Sequence, residues 1–190
     1  HRADRLRVLW GQNLHPWPGL AGDMAERGWV IVHVPASLAR PLARRPVTIA
    51  GQMVAVLPTE SDPALDLERS AEALAWWLAG PDPSPAVVAR LARAILVPRR
   101  LARDLLGTGR MRIEPRELLL LKTQFGLTLA SWLDRLQELE LLAPGASAAL
   151  AEELHDRGWL EQEPVRQGPM AHPAERIVLA ALAEGRVDPG

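Results

Sequence analysis

LERSAEALAWWL, residues 67–78, is the stretch that decides the fold. Its apolar residues recur at the spacing of one helical face, which favours an amphipathic helix; they are Leu67, Ala71, Leu74, Ala75 and Leu78. We predict a helix from Asp66 to Ala79, because the following Gly80-Pro81 cannot continue it.

A small β-sheet is predicted before this helix. A short helical pattern from Pro18 to Met24 stops at Gly28, which suits the left-handed position after a helix. The β-branched run from Trp29 to Val34 then predicts a buried strand. Two further apolar runs flank Gly51-Gln52, which favours a hairpin with glycine first in a type II′ turn. We expect an antiparallel sheet of about three strands.

Helices predominate in the rest of the chain. Proline near the start and glycine or proline past the end mark most of them; the predicted helices are Pro85–Val97, Arg99–Leu106, Pro115–Phe125, Leu129–Leu142, Ser147–Arg157 and Pro173–Glu184. Ser84 and Thr128 are predicted N-caps. The predicted fold class is therefore α+β and mostly helical, with one domain at residues 1–107 and a helical C-terminal region at residues 108–190.

Composition narrows the functional classes. The chain has 190 residues, and 48% of them are hydrophobic, which is enough for one substantial core. The formal net charge of −1 excludes a globally polycationic nucleic-acid binder, and the absence of cysteine excludes disulfides and thiol chemistry. No stretch is long and apolar enough to span a bilayer, and no signal pattern stands at the N-terminus. We therefore expect a cytoplasmic protein without membrane contact.

Four local patterns, and their order, resemble the ImmA/IrrE family of zincin-like metallopeptidases. They are the strand entry at 28–34, the helix at 67–80, the run LARAILVP at 91–98, and the FGLT turn at 125–128 with RL and LELL after it. The last two are similar to the family's FAAxLLMP and FGVSxxAxxxRLxxLGLL segments. The resemblance extends from residue 22 to residue 142 and implies a sheet packed on a zincin-like helix.

In that family the helix carries H-E-x-x-H, whose histidines bind zinc from one helical face while the glutamate polarises water. The matching positions in this chain are Ala71, Glu72 and Ala75. The resemblance places the third ligand, a carboxylate, at the start of the next helix, where residues 85–87 read PAV. We therefore predict a degenerate peptidase that is not an enzyme and takes no cofactor, with Glu72 as a vestige of descent. The five histidines of the chain are widely spaced and predict no other metal site.

Charge is distributed unevenly along the chain. Eight arginines and two acidic residues lie between Arg90 and Arg116, whereas seven acidic residues and one arginine lie between Gln137 and Glu163. Two solvated faces of opposite sign would explain this pattern, and a basic surface for an acidic partner is the alternative. The candidate residues for partner or nucleic-acid binding are Arg99, Arg100, Arg103, Trp132 and Arg135.

Residues 115–142 give DNA binding as an alternative, since helix, turn at Gly126 and second helix follow in helix-turn-helix order. Ser131, Arg135 and Gln137 would be the DNA contacts. Lys122 stands where such motifs prefer a small residue, and the second helix carries acidic residues that would repel phosphates. A purely structural helix pair is the other interpretation.

We predict a non-catalytic pseudo-peptidase that acts as a protein-binding or transcription-regulatory module. Members of the family recognise and cleave helix-turn-helix repressors of phage, mobile-element or DNA-damage regulons. The resemblance therefore implies a bacterial or phage setting and such a repressor as partner, held beside the Glu72 helix and the strand Met53 to Leu57. A DNA-binding helix-turn-helix regulator and a structural or oligomerisation domain are the alternatives.

Overall fold

The computed structural model describes residues 2–35, 37–38, 45–165, 179–181 and 183–186. The chain forms two compact units, unit 1 from His1 to Pro98 and unit 2 from Arg99 to Gly190. This division falls earlier than the boundary at residue 107 that the sequence predicted. The prediction of an α+β, mostly helical chain is confirmed. Among the described helices, none combines the length and the apolar character that a membrane span requires.

Unit 1 is built from a small sheet and helices on one side of it. Its elements are α1 (Arg2–Leu9), α2 (Leu20–Glu26), β1 (Trp29–Val34), β2 (Val47–Ile49), β3 (Gln52–Pro58), α3 (Pro63–Ala79) and α4 (Pro85–Leu96). The strand order is β1-β3-β2, with β1 parallel and β2 antiparallel to β3. The predicted antiparallel sheet is therefore wrong for β1. Strand β2 is antiparallel to β3 and therefore also to β1, so β2 brings the chain back, and the hairpin then inserts β3 between β1 and β2, parallel to β1.

Strands β2 and β3 form the predicted hairpin, but its turn is displaced by one residue. Ile49 pairs with Gln52, and the two residues between them, Ala50 and Gly51, have φ angles of 49° and 82°. Positive φ at both central positions is the mark of a type I′ turn, so the predicted type II′ turn is wrong. Alanine rarely adopts a positive φ, which is why the sequence favoured glycine as the first turn residue.

The sheet has one covered face and one open face. Trp29, Ala55 and Leu57 are buried, and helices α2 and α3 contact strands β1 and β3 respectively. The alternate residues of β1 face the other way, and Val30 and Val32 among them are 37% and 39% exposed. The prediction of a buried strand therefore holds for only one face of β1.

Helix α3 begins earlier than predicted because Asp62 caps it. The Asp62 carboxylate accepts a hydrogen bond of 2.9 Å from the N–H of Ala64, and Pro63 occupies the first turn. The helix ends before Gly80, as predicted. It contacts β3, α2 and α4, and its fully buried residues include Ala71, Leu74 and Ala75. The buried side of the helix thus includes the centre of the predicted apolar stripe, together with Ser70 and Glu68.

A buried arginine links α1 to α4. Arg7 is 1% exposed, and its guanidinium donates hydrogen bonds to the carbonyls of Asn13 at 2.8 Å, Ile95 at 2.7 Å and His15. Burial lowers the pKa of Arg7 to about 10, against the opposing effect of the Asp4 carboxylate. The sequence did not predict α1, because only three of its eight residues are buried.

Unit 2 is helical, with α5 (Arg99–Leu106), α6 (Pro115–Phe125), α7 (Leu129–Glu138) and α8 (Ala146–Asp156). The turn between α6 and α7 is as predicted: Gly126 is left-handed with φ 69°, and the Thr128 hydroxyl accepts a hydrogen bond from the N–H of Ser131. Helices α6, α7 and α8 contact one another. The predicted helix Pro173–Glu184 lies mostly outside the described residues.

Helix α7 ends before the predicted Leu142. Glu140 has a positive φ of 54°, and the N–H of Leu141 donates to the carbonyl of Leu136 at 3.1 Å. This pattern is a Schellman helix end, in which glycine is the usual left-handed residue. With the helix closed, Leu142 forms an isolated bridge with Arg110. This helix end was not predictable from the sequence, because glutamate stands where glycine would mark it.

Candidate functional site

The two positions that match the family's histidine ligands lie inside unit 1. Ala71 and Ala75 are both 0% exposed, on the packing face of α3. A zinc ligand needs a lone pair on nitrogen, sulfur or oxygen, and a methyl group has none. The side chains present therefore do not fit a zinc ion at this helix.

Glu72, between those alanines, is engaged by another side chain. Its carboxylate accepts a hydrogen bond of 2.8 Å from the guanidinium of Arg69, one turn earlier on α3. Burial lowers the pKa of Arg69, but the hydrogen bond and charge of Glu72, together with the charges of Glu68 and Glu60, outweigh it and raise that pKa above its ordinary value. The carboxylate of Glu72 is thus part of a local ion pair.

The third-ligand positions are at the N-terminal turn of α4. Pro85, Ala86 and Val87 are exposed there, and none of their side chains carries a ligand atom. The neighbouring Ser84 hydroxyl accepts a hydrogen bond from the N–H of Val87 at 3.4 Å, so it serves as the predicted N-cap.

Two of the described histidines each pair with a carboxylate. His33 lies 3.5 Å from Asp66, and His155 lies 3.0 Å from Glu161. Within the described part of the chain, no three His, Asp or Glu side chains are grouped so that they could hold a metal ion. His1 and His172 lie outside it.

Helix α5 carries the predicted basic surface. Arg99, Arg100 and Arg103 are exposed, while Leu101, Ala102 and Leu106 turn inward. The Arg100 guanidinium lies 3.8 Å from the Asp104 carboxylate. Arg99 and Arg103 are one helical turn apart and therefore share a side of α5. That side is the part of the predicted binding set that an acidic partner could reach.

Trp132 and Arg135 lie in the interior of unit 2. Trp132 is 0% exposed and packs edge-on against Phe125, with ring centres 6.1 Å apart. Arg135 is 4% exposed and donates to the Glu138 carboxylate at 3.0 Å. Side chains that are buried in the fold cannot contact a partner at its surface. The predicted binding surface is therefore corrected by removing these two residues.

Lys122 is buried as well, and a distant carboxylate compensates its charge. Its ammonium group donates to Glu163 at 2.7 Å. The other oxygen of the same carboxylate accepts hydrogen bonds from the N–H groups of Leu129 at 2.9 Å and Ala130 at 3.4 Å. Glu163 thus pairs with a buried lysine and caps the N-terminus of α7 at once.

Helix α7 presents little that could read DNA. Ser131 is buried, as is Arg135, and of the three predicted contacts only Gln137 is exposed. Asp134 and Glu140 are exposed in the same segment. Carboxylates at the surface would oppose the phosphates of a duplex. The helix pair therefore has the order of a helix-turn-helix without its usual surface chemistry.

An apolar surface that the sequence did not single out lies on the open side of the sheet. The strand register places seven branched aliphatic side chains there, together with Gln52 and Pro58. We call the seven the outer sheet face; it consists of Val30, Val32, Val34, Val47, Ile49, Val54 and Val56. Four of them are 37–58% exposed. The available signal was that β1 and β3 are apolar on both faces, a pattern typical of strands covered on both sides.

No protein-family model, no curated protein and no solved structure matches this chain. The resemblance to the ImmA/IrrE family consequently rests on the sequence patterns named above.

Proposed function

We propose that the chain is a non-catalytic relative of the ImmA/IrrE peptidases and works as a protein-binding module. The observation that carries the proposal is the complete burial of Ala71 and Ala75, which fill the positions of two zinc ligands with packed methyl groups. The ion pair between Glu72 and Arg69 supports it, since the remaining motif residue is committed to a local partner. A helix-turn-helix repressor is the proposed partner, as the resemblance implies.

The contact region proposed for the partner differs from the one predicted from the sequence. The strand from Met53 to Leu57 belongs to β3, which is central in the sheet. It pairs with β1 from Met53 to Pro58 and with β2 from Gln52 to Val54. A peptide could not add along the whole of this strand, because its hydrogen-bonding edges are already largely used. The outer sheet face, four of whose side chains are 37–58% exposed, is the proposed contact region.

The proposal is tested on protein purified without added metal. We expect elemental analysis to find far less than one zinc per chain, and no cleavage of a helix-turn-helix repressor encoded beside the gene after zinc is supplied. The repressor should still bind. Stoichiometric zinc together with cleavage of the repressor would disprove the proposal.

Restoring the two histidines tests the alignment itself. The double variant Ala71→His, Ala75→His should not acquire peptidase activity, because residues 85–87 supply no third ligand and catalytic zinc sites need three. Tight zinc binding with peptidase activity in this variant would show that another side chain provides the ligand, and the alignment would be refuted.

A second candidate function, DNA binding, is favoured by the exposed arginines of α5. Arg99 and Arg103 could contact neighbouring phosphates, so a duplex should bind at low salt with an affinity that falls steeply as salt rises. The double variant Arg99→Ala, Arg103→Ala should then flatten this salt dependence, whereas Arg157→Ala in α8's capping turn should not. Absence of any duplex binding at low salt would dismiss this function.

A further inference from the structure

We infer that the outer sheet face is the docking surface for one amphipathic helix of a partner protein. This inference rests on the protein-binding function proposed above and specifies the partner's chemistry. The seven members of the face are all aliphatic, and of the described strand residues on the same side only Gln52, beside Ile49 at the hairpin end, has a side chain that forms strong hydrogen bonds. The face therefore selects an apolar stripe and offers no positive charge to a nucleic acid or to an acidic peptide.

The first argument is the difference between the two faces of the same sheet. Strands of a parallel pair are nearly always covered on both faces, and their sequences are correspondingly apolar throughout. Here β1 and β3 are parallel and, apart from His33 and Gln52, apolar on both faces, as WVIVHV and QMVAVLP show. Helices α2 and α3 cover one face, but on the other Val30, Val32, Val47 and Ile49 are 37–58% exposed. The sequences of β1 and β3 are therefore typical of a sheet that helices cover on both faces.

The second argument is the size of the face. Three strands span about 14 Å across, and six residues of β1 run for about 20 Å along it. An α-helix is about 10–12 Å in diameter, and about 13 of its residues cover 20 Å. One helix of about four turns thus fills the face. It would present aliphatic residues at three- and four-residue spacing, as α3 does on the opposite face.

The same dimensions disfavour a second copy of the chain as the occupant. The face measures roughly 300 Å², whereas a stable interface buries about 800 Å² on each partner. Two copies packed sheet to sheet would fall short of that area. A single helix needs less, because helix-in-groove recognition depends on a few aliphatic anchors.

The probe is a fluorescein-labelled peptide of fourteen residues. Its leucines recur at three- and four-residue spacing, so that they share one face of a helix, and its other residues are alanine, lysine and glutamate. Its control is a permuted peptide of identical composition, in which the leucines do not share one helical face. We expect the striped peptide to bind the full chain at least about tenfold more tightly than the permuted one in fluorescence anisotropy. Equal binding of the two peptides would overturn the inference.

Variants then locate the binding on the sheet. Val30→Thr with Val32→Thr keeps the β-branched shape and should weaken the striped peptide at least about fivefold, while far-UV circular dichroism stays unchanged. Val8→Thr is the matched control, because Val8 is exposed on α1 away from the sheet, and it should leave binding intact. Equal loss in both variants would contradict the assignment to the sheet.

Sedimentation separates the remaining outcomes. Sedimentation should detect no concentration-dependent dimer that depends on Val30 and Val32. If such a dimer forms and the Val30→Thr, Val32→Thr variant abolishes it, a second copy of the chain is the occupant and the inference is overturned. Zinc-dependent cleavage of a repressor would instead disprove the non-catalytic function proposed above. The two failures are thus distinguishable.

Discussion

Helix α3 of unit 1 and the helix pair α6–α7 of unit 2 are both amphipathic, but they bury charge to different degrees. On α3, Glu72 is partly exposed, and the inward side is mostly alanine and leucine, with Ser70 and the 7% exposed Glu68 beside them. In the helix pair, Glu117 and Lys122 are 0% and 2% exposed. The apolar periodicity therefore describes most of the buried side of α3 but misses the buried charges of the helix pair.

The difference comes from where the counter-charges originate. Arg110 lies before α6 and donates two hydrogen bonds of 2.9 Å to Glu117, and Glu163 lies beyond α8 and binds Lys122. A buried charge is costly unless it is paired and hydrogen-bonded. Unit 2 meets that condition with residues from loops outside the two helices, so the burial of its charges depends on tertiary structure.

Breaking the most buried of these pairs should have the largest effect. Glu117→Ala leaves the guanidinium of Arg110 buried without its bidentate partner, and we expect a loss of about 3–5 kcal/mol in the free energy of unfolding of unit 2. Guanidinium denaturation followed by circular dichroism measures it.

The control for that variant is Glu114→Ala. Glu114 pairs with Arg112 at 3.0 Å at the surface, so its removal should cost about 1 kcal/mol or less. If the two variants lost the same stability, the contrast between buried and exposed charge in unit 2 would be wrong.

Overfilling the packed space beside α3 should have the second-largest effect on stability. Ala75→Leu adds three carbon atoms at a position that is 0% exposed, and overpacking of this kind costs about 1–3 kcal/mol. Ala86→Leu makes the same chemical change at an exposed position on α4 and should stay within about 0.5 kcal/mol of the parent. A neutral Ala75→Leu would mean that space remains where the resemblance puts a metal.

Removing the charge of Glu163 should have a smaller effect. Glu163→Gln keeps the shape of the side chain but weakens its bonds to Lys122 and to the N-terminus of α7, for a loss of about 1–2 kcal/mol. Glu161→Gln changes an exposed carboxylate two residues away and should be nearly neutral. High salt should reduce the Glu163 effect only slightly, since the pair is largely buried.

The sequence was sufficient for several features that depend on neighbouring residues. Helix starts at Ser84 and Thr128 and the turn at Gly126 came from local chemistry, and all are found. The sheet was less predictable, because the direction of β1 relative to β3 depends on the hairpin that inserts β3 between β1 and β2, and not on either strand's composition.

The candidate site was only partly predictable for the same reason. Burial of Ala71 and Ala75 followed from helical periodicity. Trp132 and Arg135 looked like surface residues because aromatic and basic side chains often mark interfaces, but Phe125 and Glu138 enclose them. The outer sheet face required the strand register, which no local pattern contains.

The smallest expected effect concerns Glu72, and it decides whether this residue is a vestige. Arg69 and Glu72 are 39% and 28% exposed, and exposed pairs one helical turn apart contribute little because water and salt screen them. Glu72→Ala should therefore cost less than about 1 kcal/mol, and the effect should shrink in 1 M salt. A double-mutant cycle with Arg69→Ala isolates the pair from the helix propensity of alanine. A coupling well above that size would mean that Glu72 stabilises unit 1, and its presence on this helix would then have a structural cause instead of a catalytic ancestry.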